Sequence, residues 1–500
     1  MTARTTPGRG GGHRRASAPA PSSPRGVLLI VCAGVVLASL DLFIVNVALP
    51  AIARDLNAPK LSDLSWVLNA YAITYASLLV FFGRQADRYR RDRAFLLGVG
   101  IFTAASAACA ASSTVEMLVA FRIVQAAGAA LLTPTSLGLV LASYEPEGRE
   151  GAVRAWTAVG GLGAAVGPVV GGLLVEANWR WVFMVNVPIG LVALIVGWRR
   201  LPAVPGHPVE RPDALGVVIS TGAIASLTFG LVKGSDWGWA SPRTAWTFFA
   251  AAILLAAFVW HCLHGRSPLV QPDLFRSGGF TGASLVAVFF SAAFGAMLLS
   301  NVLWEQGAWG WSALRTGLAI APGPLMVPIV TFGLAGRLIR RYGPATVIVL
   351  GSLSFAAGLV WWARTVTVAP NYLTGVLGGV VLTGIGVGLT LPTLMGAATA
   401  SLPAHVYSTG SAVINMIRQT GLALGVAALV AVLGTTSARP ASIKTFEHAW
   451  LLTAALAAGG ILPAIALLRT RQDAESRRGA RLGDELPAFQ AVALAEEVNA

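Results

Sequence analysis

A lone aspartate, Asp41, lies inside a long apolar stretch that begins near Gly26 and continues through Ala48. An ionised carboxylate in membrane hydrocarbon costs at least about 2.5–3.5 kcal/mol, so such a group normally faces a water-filled cavity on an ion or substrate path. The chemistry available to it there is the binding and release of a proton. The alternative is that Asp41 lies near a helix end and is simply solvated. Because apolar residues continue past it, we favour the first interpretation.

Two arginines, Arg122 and Arg418, lie within other apolar stretches. A guanidinium in a low-dielectric site needs an anionic partner or carbonyl oxygens. Asp41 or a backbone carbonyl is the expected partner of Arg122. Protonation of the carboxylate would remove half of such a pair and shift an equilibrium between conformations. A purely structural role stays open for both arginines.

Glu305 lies between Trp304 and Gln306, near the expected end of another apolar stretch. With Trp304, Trp309 and Trp311 it could bind a cationic substrate through ion pairing and cation–π attraction. It could equally be an acid of an outer loop in contact with water, because the ends of such stretches are uncertain by several residues. Both interpretations stay open.

Long apolar helices must position these residues. The 500-residue chain is 55% hydrophobic and 12% charged, whereas soluble proteins carry about 25% charged residues. Apolar runs near twenty residues predict helical spans and exclude a β-barrel. The fold class is therefore an all-α polytopic membrane protein. A window of about nineteen residues predicts about fourteen transmembrane helices, near 27–50, 64–83, 94–113, 117–141, 153–175, 181–199, 213–232, 245–264, 280–304, 314–335, 344–364, 371–396, 408–433 and 447–468.

Lys and Arg are unevenly distributed between the two sides of the expected membrane. Of the 36, 25 fall on the side of the N-terminus and 9 on the opposite side, and Arg122 and Arg418 lie within spans. The positive-inside rule then predicts that both termini are cytoplasmic. The net charge of +14 is accounted for by this topology, so we expect no nucleic-acid partner.

Two short strings recur at nearly the same distance along the chain. Residues 83–89 (GRQADRY) return 253 positions later as 336–342 (GRLIRRY), and 132–138 (LTPTSLG) return 258 positions later as 390–396 (TLPTLMG). The agreement predicts two pseudo-symmetric six-helix halves with two inserted helices between them. The expected division is a disordered basic tail at 1–26, halves at 27–200 and 266–468, inserted helices with their loops at 201–265, and a cytoplasmic tail at 469–500.

Six motifs in order along the chain carry a resemblance to a known family. They are Leu40-Asp41-x-x-Ile44-x-Asn46-Val47-Ala48-Leu49-Pro50, Gly83-x-x-Ala86-Asp87-Arg88, Arg122-x-x-Gln125-x-x-Gly128-x-Ala130, Gly163-x-x-x-Gly167-Pro168-x-x-Gly171-Gly172, Trp179-Arg180-Trp181-x-Phe183-x-x-Asn186-x-Pro188-x-Gly190 and Asn415-x-x-Arg418-Gln419-x-Gly421. The chain thereby resembles the major facilitator superfamily, and within it the fourteen-span drug:proton antiporters, from Asp41 to about Gly425.

The resemblance implies an antiporter in which Asp41 and Arg122 couple transport to protons. Glu305 departs from the family, whose motif has an apolar residue before the glutamine. We expect substrate contacts from a set of polar and aromatic side chains within the spans: Asn46, Gln125, Trp304, Glu305, Gln306, Asn415 and Arg418.

A further set of residues is expected to control the conformation. The glycines of the fifth span leave one helix face without side chains, so a neighbouring helix can approach closely, and proline bends the helix. The acidic and basic residues after the second span could hold one state through ion pairs between the halves. Ordinary helix packing and a solvated loop are the alternatives. The expected gating residues are Gly83, Asp87, Arg88, Gly163, Gly167, Pro168, Gly171 and Gly172.

The expected function is proton-coupled export of small amphipathic or cationic compounds across the plasma (bacterial inner) membrane by a monomer. A narrow exporter of one endogenous metabolite or antibiotic is the alternative, and a non-transporting sensor or an intramembrane enzyme is the remote one. The chain has no D-D-x-x-D, H-E-x-x-H or G-x-x-x-x-G-K-[ST] string. We therefore expect no catalysis, metal, ATP or cofactor, and the proton gradient as the energy source.

Overall fold

The structure is a computed structural model that describes residues 23–58, 60–205, 212–400, 402, 407–434 and 442–466. The tail expected at 469–500 lies outside the described residues, as do residues 1–22 of the tail expected at 1–26. The helix containing Asp87 is described, but the side chain of Asp87 is not.

Fourteen helices in the described part of the chain are long and apolar enough to cross a membrane, which confirms the predicted all-α polytopic fold. They are α1 (Pro24–Asp55), α2 (Leu61–Ala86), α3 (Arg91–Ala110), α4 (Val115–Ser143), α5 (Glu147–Ala177), α6 (Trp181–Arg200), α7 (Ala214–Trp237), α8 (Pro242–His264), α9 (Gly278–Ala308), α10 (Ala313–Tyr342), α11 (Pro344–Thr365), α12 (Tyr372–Ala400), α13 (Thr409–Leu433) and α14 (Ile443–Ala466).

The first helix is longer than predicted at both ends. Ser23 caps it by accepting a hydrogen bond from the Gly26 amide at 3.3 Å, and Pro24 occupies its first turn. Both features are typical of helix starts. The helix then continues through Pro50 to Asp55. Asp41 is therefore an interior residue of α1, and the interpretation of it as a solvated helix end is wrong.

The helix contacts of the first six spans recur eight helices later. α1 packs on α4, α5 and α6, as α9 packs on α12, α13 and α14. α3 packs on α4 and α6, as α11 packs on α12 and α14. Each half has its own apolar core, with Phe95 and Phe102 in the first and Phe290 and Phe355 in the second. The two halves are therefore copies of one six-helix arrangement.

Two helix pairs join the halves, α2 with α13 and α5 with α10. By the offset of eight helices, α2 corresponds to α10 and α5 corresponds to α13. An approximate two-fold axis between the halves therefore interchanges the two pairs. The inserted helix α7 packs on both α2 and α13, and α8 packs on α7. We call the membrane face at the start of α1 the N-face and the opposite face the far face.

Candidate functional site

Asp41 is held by three side chains from other helices of the first half. Arg122 Nη1 on α4 donates to one carboxylate oxygen at 2.5 Å. Gln125 Nε2 on α4 donates to the other oxygen at 2.8 Å, and Asn186 Nδ2 on α6 approaches it at 3.4 Å. Asp41 and Arg122 are both 0% exposed. The carboxylate is thus an enclosed, fully hydrogen-bonded ion partner and does not itself face a cavity.

Arg122 has both of the partners expected for it, the carboxylate and a backbone carbonyl. Its Nε donates to the Val67 carbonyl at 3.1 Å, and its Nη1 also reaches Gln125 Oε1 at 2.7 Å. The guanidinium lies 4.0 Å from the centre of the Tyr71 ring. Cation–π attraction is strongest where the cation is desolvated, as it is here.

Gln125 is the centre of the network around the ion pair. Its Nε2 also reaches Ser106 Oγ on α3 at 2.8 Å, and Ser106 in turn donates to the Phe102 carbonyl. With 0% exposure, Gln125 positions the ion pair and is closed off from any substrate in this conformation. The direct substrate contact expected of Gln125 stays a prediction.

A small pocket between the halves adjoins this network. Its wall on the first half is formed by Leu42, Asn46, Leu68 and Arg122, and its wall on the second half by Gly295, Leu298, Leu422 and Val426. The lining is mostly aliphatic. Asn46 is 8% exposed, and its side-chain amide donates to the Leu42 carbonyl at 3.0 Å, so its carbonyl oxygen is the group left for a ligand. Arg122 therefore connects the buried carboxylate to the interface between the halves.

Glu305 is buried at the far-face end of α9. It is 1% exposed, so the interpretation as an outer-loop acid in water is wrong. Neither carboxylate oxygen has a hydrogen-bond partner, and Thr316 on α10 lies beside it without a hydrogen bond of normal geometry. The surrounding residues 303–308 are wound as a π-helical turn, a local irregularity that is frequent at functional sites.

The neighbours of Glu305 in the chain point in different directions. Trp304 packs against Phe446 and Trp450 of α14, at ring distances of 5.0 and 5.7 Å, and is 3% exposed. Gln306 Nε2 crosses to the first half and donates to the Val47 carbonyl of α1 at 3.0 Å. Trp304 is thus a core residue of the second half, whereas Gln306 joins the two halves.

Arg418 and Asn415 lie on α13, facing the first half. Asn415 Oδ1 accepts from Arg418 Nη1 at 3.3 Å, and Arg418 lies near Tyr75 of α2. The Nε of Arg418 is buried without a hydrogen bond. Arg418 and Asn415 share α13, whereas Arg122 lies on α4. The structure does not bring Arg418 into contact with the Asp41 carboxylate.

The glycines of α5 face two different helices. A Cβ built on Gly167 would lie 2.9 Å from Phe43 Cβ, and one on Gly171 would lie 2.7 Å from Ile44 Cγ1, both on α1. Gly163 approaches Ser39 of α1 in the same way at 3.2 Å.

Gly172 and Pro168 face the second half instead. A Cβ on Gly172 would lie 2.5 Å from the Ala313 carbonyl oxygen, and one on Gly317 would lie 2.3 Å from the Pro168 carbonyl oxygen. The backbone of Leu314 also donates to Glu176 Oε1 at 3.3 Å. We call this contact of α5 with the start of α10, together with the Gln306–Val47 hydrogen bond, the far-face seal.

The residues expected to gate the N-face lie at the end of α2. Gly83 is half-buried, and a Cβ there would meet Pro134 at an ordinary 3.7 Å. Arg88 is half-buried, and the side chain of Asp87 lies outside the described structure. Beside them, Arg90 pairs with Asp92 at 2.6 Å. The hydrogen bond to Asp92 raises the pKa of Arg90.

Three contributors to the site were not among the residues predicted for it. Tyr71 and Ser106 are buried polar residues of apolar helices, and nothing in their spacing marks them. Asn186 belonged to a recognised motif but had been given no role. The described residues contain no group of three His, Cys, Asp or Glu side chains that could hold a metal ion.

Comparison with known proteins agrees with this architecture. The family model of the Major Facilitator Superfamily matches residues 31–426. A solved structure described as an auto-inhibited POT family peptide transporter superposes with a TM-score of 0.64 at 17% identity, covering 89% of this chain and 96% of that one. At that identity the likeness concerns the fold alone.

Several relatives at about one-third identity are resistance and export proteins by name. The tetracenomycin C resistance and export protein of Streptomyces glaucescens is 32% identical over 408 residues, 81% of this chain and 75% of that protein. The methylenomycin A resistance protein of Streptomyces coelicolor is 33% identical over 437 residues, 86% of this chain and 90% of that protein. The multidrug resistance protein Stp of Mycobacterium tuberculosis is 32% identical over 404 residues, 80% of this chain and 74% of that protein.

Proposed function

The chain belongs to the major facilitator superfamily, and we propose that it is a proton-coupled antiporter that exports small amphipathic or cationic compounds by alternating access. The observation that carries the proposal is the buried Asp41–Arg122 pair, whose arginine lines the pocket between the halves. A charge pair inside a membrane protein is costly to maintain and is a functional feature by default.

Protonation of Asp41 would change the balance of charge around Arg122. A neutral carboxyl group leaves the guanidinium buried with only the Val67 and Gln125 oxygens and the Tyr71 ring as partners. A buried charge that loses its counter-charge is strongly destabilised. Movement of Arg122 toward the pocket would relieve this cost, so proton binding and the shape of the pocket are linked through one side chain.

The pocket lining supports the proposed class of substrate. Leu42, Leu68, Leu298 and Leu422 offer aliphatic surface to the apolar part of a compound, and Asn46 offers an amide. Binding of substrate and of proton would then compete through Arg122, which borders both sites. This competition is what exchange of one for the other requires.

We further propose a bacterial inner-membrane location with both termini in the cytoplasm. The excess of Lys and Arg on the N-face supports this orientation. In this arrangement the far face is extracytoplasmic, the proton gradient drives export without ATP or a cofactor, and a monomer with a pocket between its halves is sufficient. The proposed activity is transport and not catalysis.

A narrow exporter of one antibiotic or metabolite is the second candidate. It is favoured by two relatives that are named for single compounds, tetracenomycin C and methylenomycin A. A relative named for multidrug resistance favours the broader function. A panel of chemically unrelated compounds tested for competition with one transported compound would separate the two.

The test of the antiport proposal is accumulation of a fluorescent cationic dye in inverted membrane vesicles, with and without a protonophore. We expect the native protein to accumulate dye only while the gradient persists. The Asp41→Asn variant should lose gradient-driven accumulation, because its amide cannot take up and release a proton. Asp55→Asn, a change of the same kind at the exposed far-face end of the same helix, should behave as native.

Equal accumulation by the native protein and Asp41→Asn would contradict the role given to Asp41. Dye movement that is unaffected by the protonophore would contradict proton coupling altogether. If none of the variants moves any dye, the narrow exporter becomes the better proposal.

A further inference from the structure

Glu305 is a buried acid that the Asp41 network does not use. It is the only ionisable residue of α9, is 1% exposed, and has no hydrogen bond to either carboxylate oxygen. Asp41, in contrast, has an arginine and two amides as partners. Asp41 and Glu305, both buried, thus have opposite surroundings.

The groups around Glu305 offer no positive charge to it. On α10, Thr316 lies beside it, and Arg315 is exposed with its guanidinium 4.0 Å from the Trp311 ring centre. On α12, Tyr372 lies near Glu305 but donates its hydroxyl to the Ala319 carbonyl at 2.9 Å.

The remaining neighbouring helices contribute no counter-charge either. The rest of α9 carries no charged residue, and the part of α1 that contacts it is the apolar segment around Val47. On α14, the helix that packs against Trp304, Glu447 is half-buried, and Lys444 and His448 are exposed to solvent. An ionised carboxylate without a partner in such a site is far less stable than the neutral acid.

Glu305 is also part of the contact between the halves. The next residue, Gln306, donates to the Val47 carbonyl of α1 at 3.0 Å. Val47 is six residues from Asp41, about 9 Å along the helix. On the other side, Thr316 is followed by Gly317, which touches the Pro168 carbonyl of α5. A change at Glu305 therefore acts directly on both components of the far-face seal.

We propose that Glu305 is a second proton-binding residue, whose neutral form holds the far-face seal closed and whose ionised form opens it. A proton from water at the far face adds to one carboxylate oxygen when the seal closes. The same proton returns to that water when the seal opens and the carboxylate becomes hydrated. This deepens the proposed function, because closure driven by a far-face proton follows release of the substrate on that side.

The test is the distance between two spin labels placed on either side of the seal, at Ala177→Cys on α5 and Gly307→Cys on α9. Both positions are exposed, and a Cβ at Gly307 meets no atom within 4 Å. The native cysteines, Cys32, Cys109 and Cys262, are buried. The labelled full chain in lipid vesicles is measured by pulsed electron paramagnetic resonance over a range of pH, without substrate.

We expect the ratio of the long-distance population to the short-distance population to rise with pH. Because one proton is involved, this ratio should change by at most about tenfold per pH unit. Glu305→Gln, which imitates the neutral acid, should stay at the short distance throughout. Glu305→Asp, which keeps a carboxyl group, should retain a response to pH. Asp55→Asn makes the same kind of change at an exposed far-face carboxylate outside the seal and should respond as the native protein does.

Several results would overturn the proposal. One is a distance that does not depend on pH in the native protein. Another is a response that persists in Glu305→Gln but disappears in Asp41→Asn, which would assign the response to Asp41. A third is an unchanged pH response in Glu305→Gln together with lost binding of a cationic dye, which would make Glu305 a substrate contact. The measurement needs no transport, so failure of proton-driven export would leave its outcome intact.

Discussion

At the scale of single residues, the buried carboxyl groups of Asp41 and Glu305 differ in that the first has several hydrogen-bond partners and the second has none. Asp41 receives hydrogen bonds from Arg122 and Gln125, and Asn186 completes its surroundings. Glu305 has the hydroxyl groups of Thr316 and Tyr372 nearby but a hydrogen bond from neither. Because charge in a low dielectric is stable only when it is compensated, the first group suits an ionised resting state and the second a neutral one.

Removal of Arg122 should be far more destabilising than removal of an exposed arginine. We expect Arg122→Met to lower the free energy of unfolding by about 3–5 kcal/mol at neutral pH, because Asp41 is left buried and uncompensated. The loss should shrink as the pH falls and the carboxylate takes up a proton. Thermal unfolding of the purified protein in detergent over a range of pH measures both effects.

Two further variants make this prediction specific. The double variant Asp41→Asn/Arg122→Met should recover much of the lost stability, since no unpaired charge remains. Arg180→Met removes an arginine from the partly exposed pair with Asp55 and should cost less than about 1 kcal/mol. Equal losses for Arg122→Met and Arg180→Met would contradict the special status of the buried pair.

At the scale of helices, α5 has glycines in place of larger side chains on two of its faces. Gly163, Gly167 and Gly171 bring its backbone against α1 within the first half, and Gly172 brings it against α10 of the second half. A helix of this kind can keep one contact while the other opens. The assignment of these glycines to conformational control stays a prediction, with a steric basis in the short approaches of α5 to its neighbours.

The far-face seal should be weakened by a single methyl group at Gly317. We expect Gly317→Ala to cost the closed state about 1–3 kcal/mol through overpacking against Pro168. This corresponds to roughly a 5- to 150-fold shift toward the open state. The spin-label pair at positions 177 and 307 measures the shift at constant pH.

Gly333→Ala is the matched control on the same helix. A Cβ at Gly333 meets no atom within 4 Å, so this variant changes helix propensity without touching the seal. Its distance distribution should equal that of the parent. If Gly317→Ala also leaves the distribution unchanged, the contact between α5 and α10 does not limit opening.

At the scale of the whole molecule, the inserted helices are attached at both faces. On the far face, Lys233 of α7 contacts Asp63 in the first turn of α2 as well as Asp236. On the N-face, Asp213 caps α7 through the Gly216 amide and also binds His261 of α8 and the Leu269 amide, each at 2.8–2.9 Å. These contacts attach the inserted helices α7 and α8 to the α2–α13 contact and to the segment that leads into the second half.

The N-face attachment should fail in acid. Burial alone would raise the pKa of Asp213, but the hydrogen bonds from Gly216, His261 and Leu269, with the charge of His261, lower it. A carboxyl group with a lowered pKa stabilises the fold above its unfolded pKa of about 3.9 and loses that contribution as the pH falls through its folded value. We expect Asp213→Ala to cost about 1–2 kcal/mol at pH 7.

This cost should disappear in sufficiently acidic buffer, where the native carboxyl group is also protonated. Chemical unfolding of the native protein and Asp213→Ala, compared at pH 7 and at pH values well below the ordinary aspartate pKa of about 3.9, measures the difference. Asp273→Ala removes a carboxylate from an exposed pair with Arg276 and should have little effect at either pH. A difference for Asp213→Ala that persists at low pH would show that the capping charge is not the source of the stability.

The sequence by itself determined the spans, because hydropathy over about twenty residues is a local property of the chain. It also determined the pairing of the halves, through two strings repeated at nearly equal offsets, and it singled out Asp41, Arg122 and Arg418 as charges within apolar stretches. These inferences need no knowledge of which helices touch.

Only the tertiary structure decided what surrounds each charge. Arg122 meets Asp41 across 81 positions of the chain, and Asn186 approaches it across 145. Glu305 lies near a span end, where the sequence left burial and exposure equally open, and packing beside α10 and α12 removed it from water. Tyr71 and Ser106 joined the site for the same reason: helix packing brings together side chains that neither spacing nor composition relates.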